Sequence, residues 1–420
     1  MCNIILPIFA QDIKTSTASY GGWMTGMLNQ IKKVDGIDIS VCFLFKGVGI
    51  ILSGKTDGVG YYAVPTTKLD QSEYNHELEK HFKKVLAEAS PDIVHIWGSE
   101  FPHTLAMVNA CEKQGILSRV VINIQGLSSL CAKHYYASLP WHIIYRFTLR
   151  DFLRMDNLVL QKGKFEKRGK FEYEALNKVR HVIGRTDWDK ACVSQVNPKV
   201  QYHFCNEILR DSFYKYKWNY NECEKNSIFV SQASYPIKGL HYMLEALPII
   251  VERYPGTHLY VSGTDVVRLN GSLKERLKIS SYRKYICELI NNYKLQNHII
   301  FTGNLSEREM CEQYLKSNVF VSPSSIENSS NSVCEAMILG VPIVASDVGG
   351  IKNFIVHGTH GYLYQHDAPY MLAYYICEVF ADSKRACEMA EAAAHRALLI
   401  NNKEKNRDYT IKIYKQILNS

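Results

Sequence analysis

The sequence predicts a two-domain α/β protein in which each half is a doubly wound parallel sheet flanked by helices. Three observations carry that expectation. Short β-branched runs alternate with amphipathic segments along almost the whole chain, which is the pattern of successive βαβ units. The alternation stops at the polar stretch YKWNYNECEKN (216–226) and restarts beyond it. The chain's 420 residues also exceed the roughly 250 to 300 at which one hydrophobic core stops growing.

In chain order, NIILPI (3–8), DISVCFLF (38–45), DIVHIW (92–97), RVVINI (119–124), HVIG (181–184) and VQYHF (200–204) read as strands. Segment 71–89, with Leu78, Phe82, Val85 and Leu86 on one stripe, is typical of the helices expected between them. In the second half, SIFVSQ (227–232), HLYVSG (258–263), HIIFTG (298–303), VFVSP (319–323), PIVAS (342–346) and GYLY (361–364) read as strands. Helices are expected at 239–253, 306–317, 331–339 and 368–380. The pattern gives a first domain at 1–205, a linker at 206–226 and a second domain at 227–397. Two closing helices, near 384–399 and 405–418, have no strand after them, and a helix at 398–420 can pack back on the first domain.

Composition narrows the class. At 46% hydrophobic and 21% charged residues, the chain can bury a core and does not resemble a disordered or fibrous sequence. Twelve cysteines are scattered without a C-x-x-C, and MCNIILPIFA lacks a basic n-region, so reduced thiols and a cytoplasmic setting are expected. No run approaches the 18 to 20 apolar residues of a spanning helix. The net charge is +8, and QKGKFEKRGK (161–170) concentrates Lys162, Lys164, Lys167, Arg168 and Lys170 against Glu166. Such a patch suits anionic phosphates, nucleic acid or the inner face of a membrane, and equally a solvated helix face.

The stretch SIENSSNSVCEAMILGVPIVASDVGG (325–350) places Glu327 and Glu335 eight positions apart, at the end of an expected strand and the start of an expected helix. In open α/β sheets, ligands bind beyond the carboxyl ends of strands, where helix N-termini offer free N–H groups to anions. The amides of residues 330–333 are thus a candidate phosphate cradle. Glu335 can accept two hydrogen bonds from a vicinal diol. A competing reading is a capping box, Ser332-Val333-Cys334-Glu335, in which Glu335 only serves the Ser332 amide. That reading leaves Glu327 unexplained.

This stretch resembles the E-x-x-x-x-x-x-x-E element of retaining, nucleotide-sugar-dependent glycosyltransferases of the group 1, family-4 type. The resemblance continues through EAMILGVPIVASDVGGIKNFIVHGTHGYLY, takes in SYPIKGLHYMLEALPIIVERYPGTHLYVSG, and includes YGGWMTGML near the N-terminus. It implies the GT-B architecture, two Rossmann-like domains facing across a cleft. It also implies that Glu335 holds the nucleotide ribose, Glu327 contacts the transferred sugar, and Lys238 binds the pyrophosphate with the amides of Ser330, Asn331, Ser332 and Val333. Gly21 and Gly22 would let the first domain's loop approach the leaving phosphate. The implied reaction moves a sugar from a nucleoside diphosphate donor to a glycan or polyprenyl-linked acceptor, with no metal and no nucleic-acid partner. Lysine and a helix terminus can stabilise the leaving group on their own. The D-x-D of TDWDKA, Asp187 and Asp189, reads as a helix start capped by Thr186 rather than as metal ligands.

Three departures from the family pattern stand out. Where relatives carry an arginine five residues before the lysine this chain has Ala233, so Arg210 or Lys352 is expected to substitute; the acid after the G-G turn is Asn353. Where relatives have a histidine after the strand VVINI, this chain has Gln125, which can donate a hydrogen bond but carries no proton. His134, Glu100 and His103 are the nearby acid–base candidates, whereas His95 reads as core. The departures keep two alternatives open, a nucleotide-sugar-binding protein without turnover and another enzyme of the same fold, such as an epimerase or a phosphorylase. The aromatic, basic segment 134–173, with Tyr135, Tyr136, Trp141, Tyr145 and Phe147, is the expected acceptor region.

Overall fold

A computed structural model describes residues 1–13, 15, 21–47, 49–66, 72–263 and 278–420. Tyr20 of the glycine loop and Gln71 of the segment 71–89 lie outside the described residues. The chain forms two compact units, one of residues 1–132, 164–210 and 401–420 and the other of residues 133–163 and 211–400.

In the first unit, β1 (Ser40–Lys46), β2 (Leu52–Thr56) and β3 (Val59–Thr66) run in the order β2-β3-β1, and β4 (Val94–Trp97), β5 (Val120–Asn123), β6 (His181–Gly184) and β7 (Gln201–Phe204) form a parallel set in sequential order. Cys2 joins the two sets, bridging in parallel to Phe43 on one side and Trp97 on the other. The strand expected at 3–8 does not form. Pro7, which has no N–H to donate, opens a 3-10 turn over Pro7–Phe9, so the chain pairs only around Cys2 before turning away. The hairpin β2–β3 was not expected from the sequence. It turns at Asp57-Gly58, both at positive φ, the dipeptide that suits a tight hairpin.

Helices α1 (Gly22–Ile31), α2 (His76–Ala89), α3 (Pro102–Lys113) and α4 (Ser128–Lys133) follow the strands they connect. Leu78, Phe82, Val85 and Leu86 of α2 are buried with Val94, Ile96, Ile122 and Val182 of the sheet, as the stripe in the sequence requires.

Two short helices, α5 (Trp141–Ile144) and α6 (Leu149–Arg154), belong to the second unit, although their neighbours in sequence belong to the first. This division departs from the linear one the sequence suggests, and buried polar contacts explain it. Asp151, fully buried, accepts from the Ser281 amide at 2.9 Å, and Arg146 grips both oxygens of Glu288 at 2.9 Å. His241 and Tyr242 both bond the carbonyl of Ala137. The long α7 (Leu158–Lys178) is shared by the two units, and α8 (Asp187–Val196) follows it.

The second unit's sheet holds β8 (Glu224–Val230), β9 (His258–Ser262), β10 (Ile299–Gly303), β11 (Ser317–Ser322), β12 (Ile343–Ser346) and β13 (Tyr362–Tyr364). All six are parallel and lie in the order β10-β9-β8-β11-β12-β13. The order reverses between β8 and β11, which makes the loops after these two strands the expected binding crevice. The intervening helices are α9 (Leu240–Arg253), α10 (Ser281–Asn292), α11 (Glu307–Lys316), α12 (Asn331–Leu339), α13 (Pro369–Ala381) and α14 (Ser383–Ile400). The last, α15 (Lys403–Leu418), is part of the first unit: Ile413 and Ile417 are buried with Val121, Ile183 and Cys205, and the side-chain amides of Asn401 and Asn406 donate to the Glu207 carbonyl.

Candidate active site

The loop after β8 carries Lys238 at the end of a 3-10 turn, Pro236–Lys238, and the loop after β11 carries Glu327. Backbone contacts fasten the two loops together. The Ser325 amide donates to the Ile237 carbonyl at 2.9 Å, and Gly239, at φ +72, packs so tightly that a Cβ there would lie 1.8 Å from the Pro323 carbonyl oxygen. Only glycine combines that φ with that approach. The result is a Lys238 ammonium 2.5 Å from a Glu327 carboxylate oxygen, which also accepts from the Ser324 hydroxyl at 2.8 Å. Both charged side chains keep a small exposed fraction.

A third loop holds Glu327 from the other side. After β12 the chain turns at Gly349-Gly350. The Gly350 amide donates to the Glu327 carbonyl at 3.1 Å, and a Cβ on Gly349 would stand 1.8 Å from that same oxygen. The sequence offered Gly349 only as part of a family turn; its contact with Glu327 depends on the meeting of loops from neighbouring strands.

Helix α12 begins beside Glu327. Its N-cap is Ser330, whose hydroxyl accepts from the Val333 amide, and the Ser332 hydroxyl lies 2.9 Å from that of Ser330. The capping box drawn from Ser332 and Glu335 is therefore not the one that forms. With the cap at Ser330, Glu335 is the fifth helical residue, too far in to serve the cap, and it is 7% exposed. Asn331 and Ser332 are the first two helical residues, so their amides have no carbonyl to bond within the helix. A lysine and a carboxylate thus meet at the reversal point of one sheet, three residues before the cap of the helix that carries the buried Glu335.

Residues 212–396 match the family model described as glycosyl transferases group 1. The matched segment lies wholly within the second unit and spans less than half of the chain. An uncharacterized glycosyltransferase of Methanocaldococcus jannaschii is 27% identical over 159 residues, which is 38% of this chain and 36% of the relative's own length. Among solved structures, sucrose-phosphate synthase from Thermosynechococcus elongatus superposes with a TM-score of 0.68 at 17% identity, over 93% of this chain and 91% of the other. Anabaena HepE, solved in complex with UDP and glucose, gives 0.67 at 15% identity, over 95% and 97%. These likenesses establish the fold as GT-B.

The other candidate residues fall into two groups. His134 belongs to the second unit and is exposed; its backbone carbonyl accepts from the Ser325 hydroxyl at 3.5 Å, which puts it beside the Glu327 loop although 191 residues separate them. Partial burial, with His366 and Lys133 near, lowers its pKa. Lys352 pairs with Asp347 at 3.0 Å in the turn that follows Gly350, and Ala233 is buried.

The second group lies in the first unit. Gly21 caps α1 at φ +88, and a Cβ on Gly22 would collide with the Arg210 side chain at 2.2 Å, so Arg210 lies across the start of α1. Gln125 donates to Glu207 at 2.6 Å and to Asn123 at 3.0 Å, and Glu207 is in turn held by Arg185 at 2.7 Å. Its amide thus faces a buried carboxylate, a partner that no local pattern announces. Glu100 and Glu172 form a second buried acid cluster: Ser99 donates to Glu172 at 2.8 Å and Asn3 to Glu100 at 3.3 Å, and burial pushes both carboxyls up to about 7. His103 bonds Asn3 at 2.7 Å and is lowered by burial to about 4. His95 stacks on Trp97 and bonds the Tyr414 hydroxyl at 2.8 Å, a structural role. Thr186 caps α8 in a capping box with Asp189, which is fully buried and also takes the Tyr202 hydroxyl, so this acid serves the helix terminus.

Proposed function

We propose that this chain is a glycosyltransferase that moves a sugar from a nucleoside diphosphate donor to a glycan or lipid-linked acceptor, with retention of configuration and without a metal. The observation that carries the reading is the Lys238–Glu327 pair at the start of α12. A diphosphate leaving group gathers negative charge as its bond to the sugar breaks, and Lys238 with the amides of Asn331 and Ser332 supplies cationic and N–H stabilisation at one point. Glu327, 2.5 Å from Lys238, is then placed to touch the sugar and to offset positive charge growing at its anomeric carbon. Glu335, buried in the first turns of α12, accepts from the ribose diol. In this reading Gly21 and Gly22 belong to the first unit's phosphate loop, and Arg210 or Lys352 supplies the cation missing at Ala233. The complex of HepE with UDP and glucose supports a nucleotide-sugar donor.

In retaining transfer by front-side attack, the leaving phosphate takes the acceptor's proton, so positioning matters more than a protein base. Gln125 and His134 then position the sugar or the acceptor. Binding without turnover is the second reading, favoured by the engagement of Gln125 with Glu207. We place the work at the cytoplasmic face of a membrane, where lipid-linked acceptors are presented.

The test is a panel of nucleotide sugars, with free UDP and GDP, read by melting temperature and by nucleotide release. The expected result is a rise with one donor and its nucleotide, and slow release without acceptor. A panel that leaves the melting temperature unmoved throughout removes the donor reading, and binding without release selects the second reading.

A further inference from the structure

The segment that joins the second unit from within the first half of the sequence is built inside out. Apart from Arg154, its charged residues are engaged in ion pairs and hydrogen bonds. Arg146 holds Glu288, and Arg150 bonds Asp151 and Asp156 at 3.0 and 3.3 Å; Asp151 is closed in by the Thr148 and Ser281 amides. Its large apolar residues face outward. Trp141 is 74% exposed, Leu153 73% and Phe152 66%, and Tyr145, Phe147, Leu149 and Met155 are also exposed. A run of seven such side chains within fifteen residues is not the scatter of single apolar groups that a solvated surface tolerates; apolar patches of this kind mark places that meet another phase or partner.

The flanking charge selects the partner. Arg146 and Arg150 are taken up inward; of the other six Lys and Arg in 141–170, Arg154, Lys167 and Lys170 are exposed, against the one exposed acid, Glu166. Arg154 is exposed beside Phe152 and Leu153, and the cations Lys162, Lys164, Lys167, Arg168 and Lys170 follow along α7. Aromatic and aliphatic side chains next to a cation excess match the boundary of an anionic bilayer, where rings settle at headgroup depth and lysines meet lipid phosphates. Among the described residues no helix is long and apolar enough to cross a membrane, and α5 and α6 are four and six residues long, so the segment is suited to lie on a surface.

We infer that residues 141–155, through Trp141, Phe152, Leu153 and the exposed Arg154, are a docking surface for an anionic lipid bilayer. The inference deepens the reading of a membrane-presented acceptor and rests on it. Because the surface is fixed to the second unit by Asp151–Ser281 and Arg146–Glu288, docking orients the unit that carries Lys238 and Glu327.

The test is sedimentation of the full chain with vesicles of phosphatidylglycerol and phosphatidylcholine, and with phosphatidylcholine alone. The chain is expected to sediment with the anionic vesicles, less with the neutral ones, and to be released by high salt. The variant F152S/L153S is expected to bind the anionic vesicles roughly tenfold more weakly while keeping its melting temperature and its response to nucleotide sugars. R154E, which touches no core, is expected to lose roughly fivefold on anionic vesicles only. A chain that stays in the supernatant, or variants that bind as well as the unaltered protein, overturn the inference. So does a chain that ignores vesicles but forms a dimer that F152S/L153S dissociates, since the patch then covers a second copy. The nucleotide-sugar response is measured in the same samples. Lost vesicle binding with that response intact sinks the docking surface alone; a missing response with vesicle binding intact sinks the donor reading alone.

Discussion

Replacing Gly349 by alanine tests whether the G-G turn holds Glu327 in place. The residue sits at φ +53, in the left-handed region that costs an alanine roughly 1 to 2 kcal/mol. A Cβ there would lie 1.8 Å from the Glu327 carbonyl oxygen and 2.9 Å from its carbon, so the Glu327 backbone must retreat by more than about 1 Å to restore contact distance. That retreat breaks the 3.1 Å bond from the Gly350 amide, worth about 1 kcal/mol. Together these terms give a loss of roughly 2 to 3 kcal/mol, or a melting temperature lower by roughly 5 to 10 °C. The catalytic cost is larger than the stability cost, because a displacement of about 1 Å at a positioned group lowers turnover roughly a hundredfold. Nucleotide release from the donor and thermal melting measure the two effects. Gly358→Ala is the control: Gly358 has a comparable φ of +72, but a Cβ there meets nothing within 4 Å, so it carries the backbone strain without the collision. If G349A and G358A melt alike and both keep donor turnover within about threefold of the unaltered chain, the argument that Gly349 positions Glu327 is wrong.

Further outcomes follow from the same loops and from the buried acids. Glu327→Ala removes one partner of a partly exposed ion pair and should shift stability by no more than about 1 kcal/mol while eliminating transfer; unchanged transfer would refute its assignment. Lys238→Ala should weaken UDP or GDP binding by roughly tenfold to a hundredfold, the worth of a charged hydrogen bond, and a titration showing equal affinity removes Lys238 from the phosphate site. Glu172 is raised to about 7 by burial, with a further push from Glu100, so it is protonated in the folded chain where the unfolded chain ionises. The sign follows: the pair costs nothing below about 4.5, and stability falls as pH rises from there to about 7. Glu172→Gln should therefore be more stable than the unaltered chain at pH 8, by about 1 to 3 kcal/mol, with a smaller gain at pH 5, as read by denaturant unfolding at the two values. A gain of equal size at both values would contradict the buried-acid account.

The strands of the second unit were legible because each is a short apolar run closed by turn residues, buried throughout in β11 and β12, and all six lie close to where the pattern put them. Glu327 stands out in the sequence as an acid in a polar loop between a strand and a helix, whereas Lys238 is named only through the resemblance to the glycosyltransferase family. Their separation of 2.5 Å could not be read there, since it arises from two turns meeting at the sheet's reversal point. Three misreadings have local causes. The run NIILPI has a strand's composition, but Pro7 cannot donate to a ladder and the chain turns after pairing at Cys2. The hairpin β2–β3 lay behind a visible Asp57-Gly58 signal, passed over because its first strand is short and poor in apolar residues. Ser332-x-x-Glu335 has the spelling of a capping box, yet Ser330 reaches the helix end first. The excursion at 133–163 left no periodic trace, because its anchors join Asp151 to Ser281 and Arg146 to Glu288, contacts 130 and 142 residues long in sequence.

The place of α15 in the first unit has a consequence for how the chain is made. Ile413, Ile417, Asn401 and Asn406 complete a core whose other members end at residue 210. At a synthesis rate of about 10 residues per second, the first 210 residues wait on the order of 20 s for the helix that closes them. During that interval the side of β5 and β6 that Ile413 and Ile417 will cover, around Val121 and Ile183, stands open to chaperones. The second unit, whose own residues finish at 400, can close earlier. Biosynthesis thus runs against the order of the sequence: the half that emerges first from the ribosome is the half that is sealed last.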